Sequence, residues 1–325
     1  MNSYPATTIY YLVVCLIRYW LRMRRITIGI PSFNEEKNIA DLLMALSDVK
    51  SDDFTISEVI ISDDSSDNTS RAVQIFATQK LDWGIKFIHY TKRRGAAAAW
   101  NEIFENSIGD IIVLYDADIV LDKYSTKELV SSINGKVALC ASNPTPVLVK
   151  DMPGRASIFI SHWLRSLRNK KLSKYTVMGR SFAIRSDLAK KIKIPKDMIA
   201  IDLFVQCEVL RRGFEIVYND NAIVYFLPPN NIIDFASQVM RSLYGHKQLD
   251  CCVEQLNLSP SPNIMLTTTL RTALLDPIGA MYAMICMAFI PYYRRRVHDL
   301  DKAQWYVADS TKAPYKGISK SEIKD

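Results

Sequence analysis

ITIGIPSFNEEKNIADLLMAL, residues 26–46, is the stretch that decides the fold. Ile26, Ile28 and Ile30 make a short β-branched run that reads as a strand. The turn Pro31-Ser32-Phe33-Asn34 follows, and then Ile39, Leu42, Leu43 and Leu46 recur at the spacing of one helical face. Asn34 is placed to cap that helix, with Glu35 and Glu36 at its positive end. A strand, a turn and an amphipathic helix in that order open a βαβ unit.

The same alternation continues. Glu58–Ser62 reads as a second strand ending in Asp63-Asp64-Ser65-Ser66-Asp67, Ile85–His89 as a third, and Ile111–Tyr115 as a fourth ending in Asp116-Ala117-Asp118. The expected class is therefore α/β, a mostly parallel sheet flanked by helices. Ligands of such sheets bind beyond the carboxyl ends of the strands, so the acidic groups ending the second and fourth strands are expected to converge in one cleft. Past residue 150 the pattern loosens to a mixed segment over 177–184, a helix over 201–212, two short strands within 215–225 and a helix over 232–247. Nothing repeats internally and there is no low-complexity linker.

About half of the 325 residues are apolar (49%), enough to build a substantial core and to set disorder aside. The net charge of +7 fits an anionic partner, a nucleotide or a phospholipid surface. The basic clusters flank apolar stretches and form no nucleic-acid module, so nucleic acid is not the expected partner. Six cysteines without a C-x-x-C pair and four scattered histidines give no zinc spacing, which suits a reducing compartment. Adjacent Cys251 and Cys252 read as small buried hydrophobes.

Two apolar stretches, 9–21 and 278–293, are short for a membrane span of about 20 residues. Each precedes a basic cluster, Arg22, Arg24 and Arg25 in one case and Arg294, Arg295 and Arg296 in the other. Tyr10, Tyr11, Trp20, Tyr292 and Tyr293 suit an interfacial belt. The favoured reading is segments lying in or dipping into the cytosolic leaflet, the alternative being buried core helices. No cleavable signal peptide is evident. The chain is thus expected to divide into a membrane-associated segment (1–25), the α/β domain (26–250), and a C-terminal apolar segment with a basic tail (251–325), with the α/β domain on the cytoplasmic side of the cell membrane.

The chemistry-bearing residues come next. Asp116 and Asp118 end an apolar strand with both side chains on one side of an extended backbone, a hard-oxygen pair suited to Mg²⁺ or Mn²⁺ shared with phosphate oxygens. Asp63 and Asp64 offer acceptors for a base or ribose, against the plainer reading of Asx-turn chemistry. Lys92, Arg93, Arg94 and Gly95 place charge-assisted donors at a helix start, a natural diphosphate site, or form a solvated turn. Asp202 begins a helix, where capping alone would account for it, and Gln238 and Arg241 share a helical face.

Taken together, four segments resemble the inverting family 2 glycosyltransferases of GT-A fold: Ile28–Glu35, Ile60–Thr69, Arg94–Asn101 and Asp116–Asp118. The resemblance covers residues 26–250. It implies a nucleotide-diphospho-sugar donor held by Pro31, Asn34, Glu35 and one of Asp63 or Asp64, with Asp118 as principal metal ligand and Asp116 on ribose or metal. It places the acceptor-side acid at Asp202, where the family's Glu-Asp pair reads Ile201-Asp202, and the acceptor segment at Gly179 and Arg180. The Gln-x-x-Arg-Trp motif of processive members is similar to Gln238, Arg241 and Ser242, with serine in place of the aromatic ring. The implied reaction is inverting displacement with Asp202 as base, onto a hydroxyl or a lipid phosphate. With a phosphate acceptor Asp202 would only orient or support it. A nucleotidyltransferase is disfavoured because Asn34-Glu35-Glu36 stands where a glycine-rich basic loop belongs, and an oxidoreductase because no G-x-G-x-x-G follows an early strand. The remaining alternative is a non-catalytic, membrane-associated sugar-nucleotide-binding protein.

Overall fold

A computed structural model describes residues 23–168, 180–294 and 308–314. β1 (Arg24–Ser32), β2 (Phe54–Asp63), β3 (Gly84–His89) and β4 (Ile111–Tyr115) run parallel in the order β3-β2-β1-β4. Every residue of β4 is buried, as a strand covered on both faces must be. The period of two then sorts its side chains. Val113 and Tyr115 join Ile39, Leu42 and Leu46 of α1 (Ile39–Ser47) and Val73 and Phe76 of α2 (Thr69–Ala77) on one face. Ile112 and Leu114 join Trp100, Ile103 and Phe104 of α3 (Ala96–Asn106) on the other.

The later half completes an eight-stranded mixed sheet with β5 (Ile119–Leu121), β6 (Val137–Pro146), β7 (Ser181–Arg185) and β8 (Glu215–Phe226), in the order β3-β2-β1-β4-β7-β6-β8-β5. β7 lies antiparallel between β4 and β6, and β5 antiparallel to β8. The two short strands read within 215–225 are one twelve-residue strand. Its turn-like Asn219-Asp220-Asn221 is a slip in register against β6, where Ala141 pairs with Tyr218 and Asn143 with Ile223. Asn219 is held there by the Glu128 carbonyl at 3.1 Å. β5, β6 and α5 (Met152–Leu167) carry no reading from the sequence.

Two local expectations change. Asn34 does not cap α1, which starts at Ile39 after Asn38. It takes a left-handed φ of 55° instead, which its short polar side chain tolerates. Cys252 is buried but Cys251 is exposed, because α9 (Asp250–Gln255) turns only one of two consecutive side chains inward.

α4 (Ser125–Ser131) and the one-turn α6 (Ser186–Ala189) flank the sheet. α7 (Ile201–Arg211) and α8 (Ile232–Gln248) meet where a Cβ on Gly245 would lie 2.5 Å from the Ala200 Cβ and 3.0 Å from its backbone nitrogen. Beyond α9, α10 (Pro262–Leu275), α11 (Pro277–Ala288) and α12 (Ile290–Arg294) form an apolar appendage, and residues 308–314 return to the sheet's carboxyl edge. Among the described residues no single helix is long and apolar enough to cross a membrane. The contact at Gly245 sets the distance between the helices that flank the pocket. Gly245→Ala is expected to cost about 2 kcal/mol through overpacking, lowering the melting temperature by roughly 4–8 °C. Gly84→Ala, where a Cβ meets nothing within 4 Å, is the matched control for the thermal melts and should leave the temperature nearly unchanged.

Candidate active site

The carboxyl ends of β1, β2 and β3 are level, with Ser32 paired to Asp63 and Asp63 to His89. Their loops are knotted to one another by side-chain hydrogen bonds. Asn34 N–H donates to Ser65 Oγ at 2.7 Å, Ser66 N–H to Asn34 Oδ1 at 2.9 Å, and Glu35 N–H to Thr69 Oγ1 at 2.8 Å. Asp63 is fully buried and accepts from Ser65, with His89 Nδ1 2.7 Å away. Asp64 accepts from the backbone N–H of Arg94 at 2.5 Å and of Gly95 at 3.0 Å, and from Arg94 Nε at 2.9 Å. Gly95 follows with a φ of 91° that a side chain would strain, and it directly precedes α3.

These loops wall a cavity of about 480 Å³. It is lined by Pro31, Ser32, Phe33, Glu35, Asp64, Arg93 and Gly95 from the ends of β1, β2 and β3 and the loops after them, and by Asp116, Asp118, Arg180, Ser181, Asp202, Gln238, Arg241 and His246 from β4 onward. The sequence had singled out most of these. Three others stand elsewhere. Asn34 and Asp63 are consumed in the loop knot, and Arg94 pairs with Asp64 and Glu102 while stacking 3.3 Å over the Tyr90 ring. The basic donor that reaches the pocket is Arg93, 4.2 Å over the ring of Phe33. Gly179 lies outside the described residues.

Asp116 and Arg180 are brought together by the β4–β7 ladder, Asp116 N–H donating to the Arg180 carbonyl at 2.9 Å. The Arg180 guanidinium then donates Nη1 to both oxygens of Asp118 at 3.1 Å and lies 4.3 Å over Phe226. Burial and the Asp118 charge push Asp116 up to about 7, against the pull of Arg180 and Arg241. Burial also raises Asp202, which stands in the first turn of α7 facing Arg241 and accepts from its neighbour Leu203 N–H at 2.9 Å. Asp202 therefore does not follow the capping reading. Ala200 precedes the helix, and the carboxylate lines the cavity.

Residues 308–314 contribute what the sequence had not suggested. Lys312 Nζ lies 2.8 Å from Glu35 Oε1 and donates to the carbonyls of Phe33 and Asn34. Asn38 Nδ2 donates back to the Lys312 carbonyl at 3.3 Å, and Ser310 N–H to Asp234 Oδ2 at 3.0 Å. Burial and Asp118 nevertheless hold Glu35 up at about 7. Lone lysines in a basic tail carry no periodicity, and only tertiary contact reveals this one.

A divalent ion fits this donor set. Asp116 and Asp118 are hard-oxygen ligands whose mutual repulsion an added cation would relieve. Among the described residues no cluster of three or more His, Cys, Asp or Glu side chains could hold a metal alone. The remaining ligands would come from substrate oxygens, the usual arrangement for ions carried with a diphosphate. The hydroxyls of Ser32 and Ser181, both lining the cavity, are buried without a hydrogen-bond partner among the described residues, as are groups that await a polar ligand.

Residues 27–192 match the family model described as Glycosyl transferase family 2. A probable glycosyltransferase, YdaM of Bacillus subtilis (strain 168), is 27% identical over 219 residues, covering 63% of this chain and 51% of that protein. Poly-beta-1,6-N-acetyl-D-glucosamine synthase of Staphylococcus epidermidis is 25% identical over 220 residues, 66% of this chain and 52% of that one. The chain thus spans about half the length of these two relatives. The solved mannosyltransferase PcManGT from Pyrobaculum calidifontis, in complex with GDP-Man and Mn²⁺, superposes with a TM-score of 0.55 over 88% of this chain and 97% of its own, at 16% identity, which shows a shared GT-A fold.

The Glu35–Lys312 pair generates a pH prediction. A carboxyl raised in the folded state favours folding below its unfolded value near 4.5, and that contribution is lost as pH rises through about 7. Removing Lys312 takes away the cation facing Glu35 and leaves Asp118 and the Asn38 amide, so Glu35 rises further. Lys312→Met is therefore expected to lose, at every pH, the hydrogen bonds to the Phe33 and Asn34 carbonyls, and at pH 9 about 1–3 kcal/mol more than at pH 5, read as a widening gap between wild-type and variant melting temperatures in metal-free buffer.

Proposed function

We propose, from the premise that the chain belongs to glycosyl transferase family 2, that it moves a sugar from a nucleotide-diphospho-sugar to a membrane-proximal acceptor with inversion at the anomeric carbon. The observation that carries this reading is the meeting of Asp116, Asp118 and Asp202 with three arginines in one cavity at the carboxyl edge of the sheet. Acids suited to a diphosphate-bound cation and a separate acid with a raised pKa divide the two tasks of a displacement between them.

The nucleoside end is assigned to Pro31, Phe33, Glu35, Asp64 and Lys312, with the Phe33 ring and Arg93 as the flat, charged wall that suits a base and its phosphates. A Mg²⁺ or Mn²⁺ ion held by Asp118, with Asp116, would neutralise the departing diphosphate as a Lewis acid. Arg180 fixes the orientation of Asp118, and Arg93 and Arg241 add positive charge where the leaving group gains negative charge. Ser32 and Ser181 offer hydroxyls to the sugar. On the acceptor side Asp202 accepts the proton of an attacking hydroxyl, its burial raising the pKa toward that of a working base, with Gln238 and Arg241 orienting the acceptor. An acceptor carried on lipid is supported by the apolar appendage, which packs against α8 directly behind the pocket. The catalytic domain then sits on the cytoplasmic face of the cell membrane.

The test is nucleoside diphosphate release from UDP- and GDP-sugars by the full chain in membrane extracts, with added Mg²⁺ or Mn²⁺. One donor should be turned over, with a loss of at least about 100-fold in Asp118→Asn. Asp202→Asn should lose about 10²–10⁴-fold in transfer to a hydroxyl acceptor, because a positioned base is missing, and little if the acceptor is a phosphate already ionised. Absence of both release and donor binding across the donor set would falsify the transferase reading.

A further inference from the structure

We propose that the α10–α11 hairpin is a re-entrant wedge, which enters one leaflet of a bilayer and leaves by the face it entered. The inference rests on the membrane-apposed reading above and adds which surface meets lipid and on which side the chain emerges.

The two helices divide their faces. Ala273, Ala280 and Ala283 pack with Ala156 and Phe159 of α5. The opposite faces expose Leu266, Leu270 and Leu274 on α10, four apart, and Ile278, Met281 and Met284 on α11, three apart. At the corner Leu274 and Leu275 are 83% and 77% exposed. A contiguous apolar surface of this kind marks an interaction site.

Charge identifies the partner as lipid. Arg271 is exposed on α10, where so long a side chain can reach back toward the interface, and from Thr272 to Tyr293 the sequence carries a single Asp, Glu, Lys or Arg, which is Asp276 at the corner. Its carboxylate is withdrawn from the surface, paired with Arg155 at 3.0 Å and accepting from Gly279 N–H at 2.9 Å. A charge entering hydrocarbon needs such a partner, whereas a corner facing water does not. Arg294, Arg295 and Arg296 come directly after the apolar run, where anionic head groups would meet them.

Geometry favours re-entry over a span. α10 and the helices after it are bent by 119° at Asp276, and α10 with 14 residues is about 21 Å long, short of a hydrocarbon core of about 30 Å. The decisive contact lies downstream. Lys312 reaches Glu35 and Ser310 reaches Asp234, both on the catalytic domain. A chain that crossed the membrane between residues 262 and 293 could not bring residues 308–314 back to the pocket, whereas a re-entrant hairpin returns them to the side it left.

The experiment uses the full chain in vesicles of phosphatidylcholine and phosphatidylglycerol, with Cys15 and Cys251 replaced by serine. An environment-sensitive NBD label on Leu275→Cys is expected to shift its emission to the blue and to be quenched several-fold more by acyl-chain nitroxides than the same label on Asp48→Cys, at an exposed position of the catalytic domain. In sealed vesicles an impermeant maleimide should modify Asp48→Cys and Ser319→Cys from the same side. A label at 275 that no lipid-borne nitroxide quenches would show that protein, a second copy or another part of this chain, covers the surface, and modification of 48 and 319 from opposite sides would show a span. Either result overturns the wedge. Donor turnover on the same vesicles reports the transferase reading separately, because neither Asp48 nor Leu275 lines the cavity.

Discussion

Crowding of like charge at the carboxyl edge of the sheet is the constraint around which the rest of the molecule is arranged. Glu35, Asp116, Asp118 and Asp202 share one cavity, and Asp118 raises both Glu35 and Asp116. Carboxylates this close and this shielded from water cannot all be ionised without nearby cations. Each counter-charge comes from a different structural device. Arg180 arrives on an antiparallel strand inserted beside β4, Arg241 on a helix packed through Gly245, and Lys312 on a segment that closes the chain back onto its first loop. The fold's departures from a plain parallel sheet are therefore the features that supply positive charge. What these cations leave unmatched is the part a donor-borne divalent ion is suited to balance.

The first four strands were legible because burial on both faces leaves a continuous β-branched run, and because parallel βαβ units force helices between those runs. The acids at the strand ends could be read for the same reason, since position at a strand end is a property of sequence order. Roles within a loop could not. Asn34, Asp63 and Arg94 lie in motifs that the sequence displays clearly, yet their polar groups are spent on binding the loops together. Neighbours along the chain, Glu35, Asp64 and Arg93, line the cavity instead. Which of two adjacent residues faces a ligand depends on the local φ, such as the left-handed turn at Asn34. No pattern of residue types encodes that. The second half was read less well because β6 and β8 are irregular in register, and because β5 has only three residues to signal it. Lys312 could not be read at all, since its importance arises from a contact with Glu35 that is 277 positions away in the sequence.

α8 connects the chemistry to the apolar appendage. Its residues fall on two faces at helical spacing. Phe235, Ala236 and Met240 pack against Ala283, Cys286 and Ile290, while Gln238, Arg241 and His246 line the cavity. Asp234, in its first turn, accepts from Ser310 and so anchors the returning segment that carries Lys312. One rigid helix thus fixes the position of the pocket relative to the hairpin and to the chain that re-enters the site. Seating the hairpin in a leaflet would hold the acceptor side of the cavity at a set height above the lipid surface without a flexible linker. The same connection makes the helix intolerant of change on either face. A shift that improves packing against the hairpin displaces Arg241 from Asp116 and Asp202, and that in turn exposes the repulsion the site was built to offset.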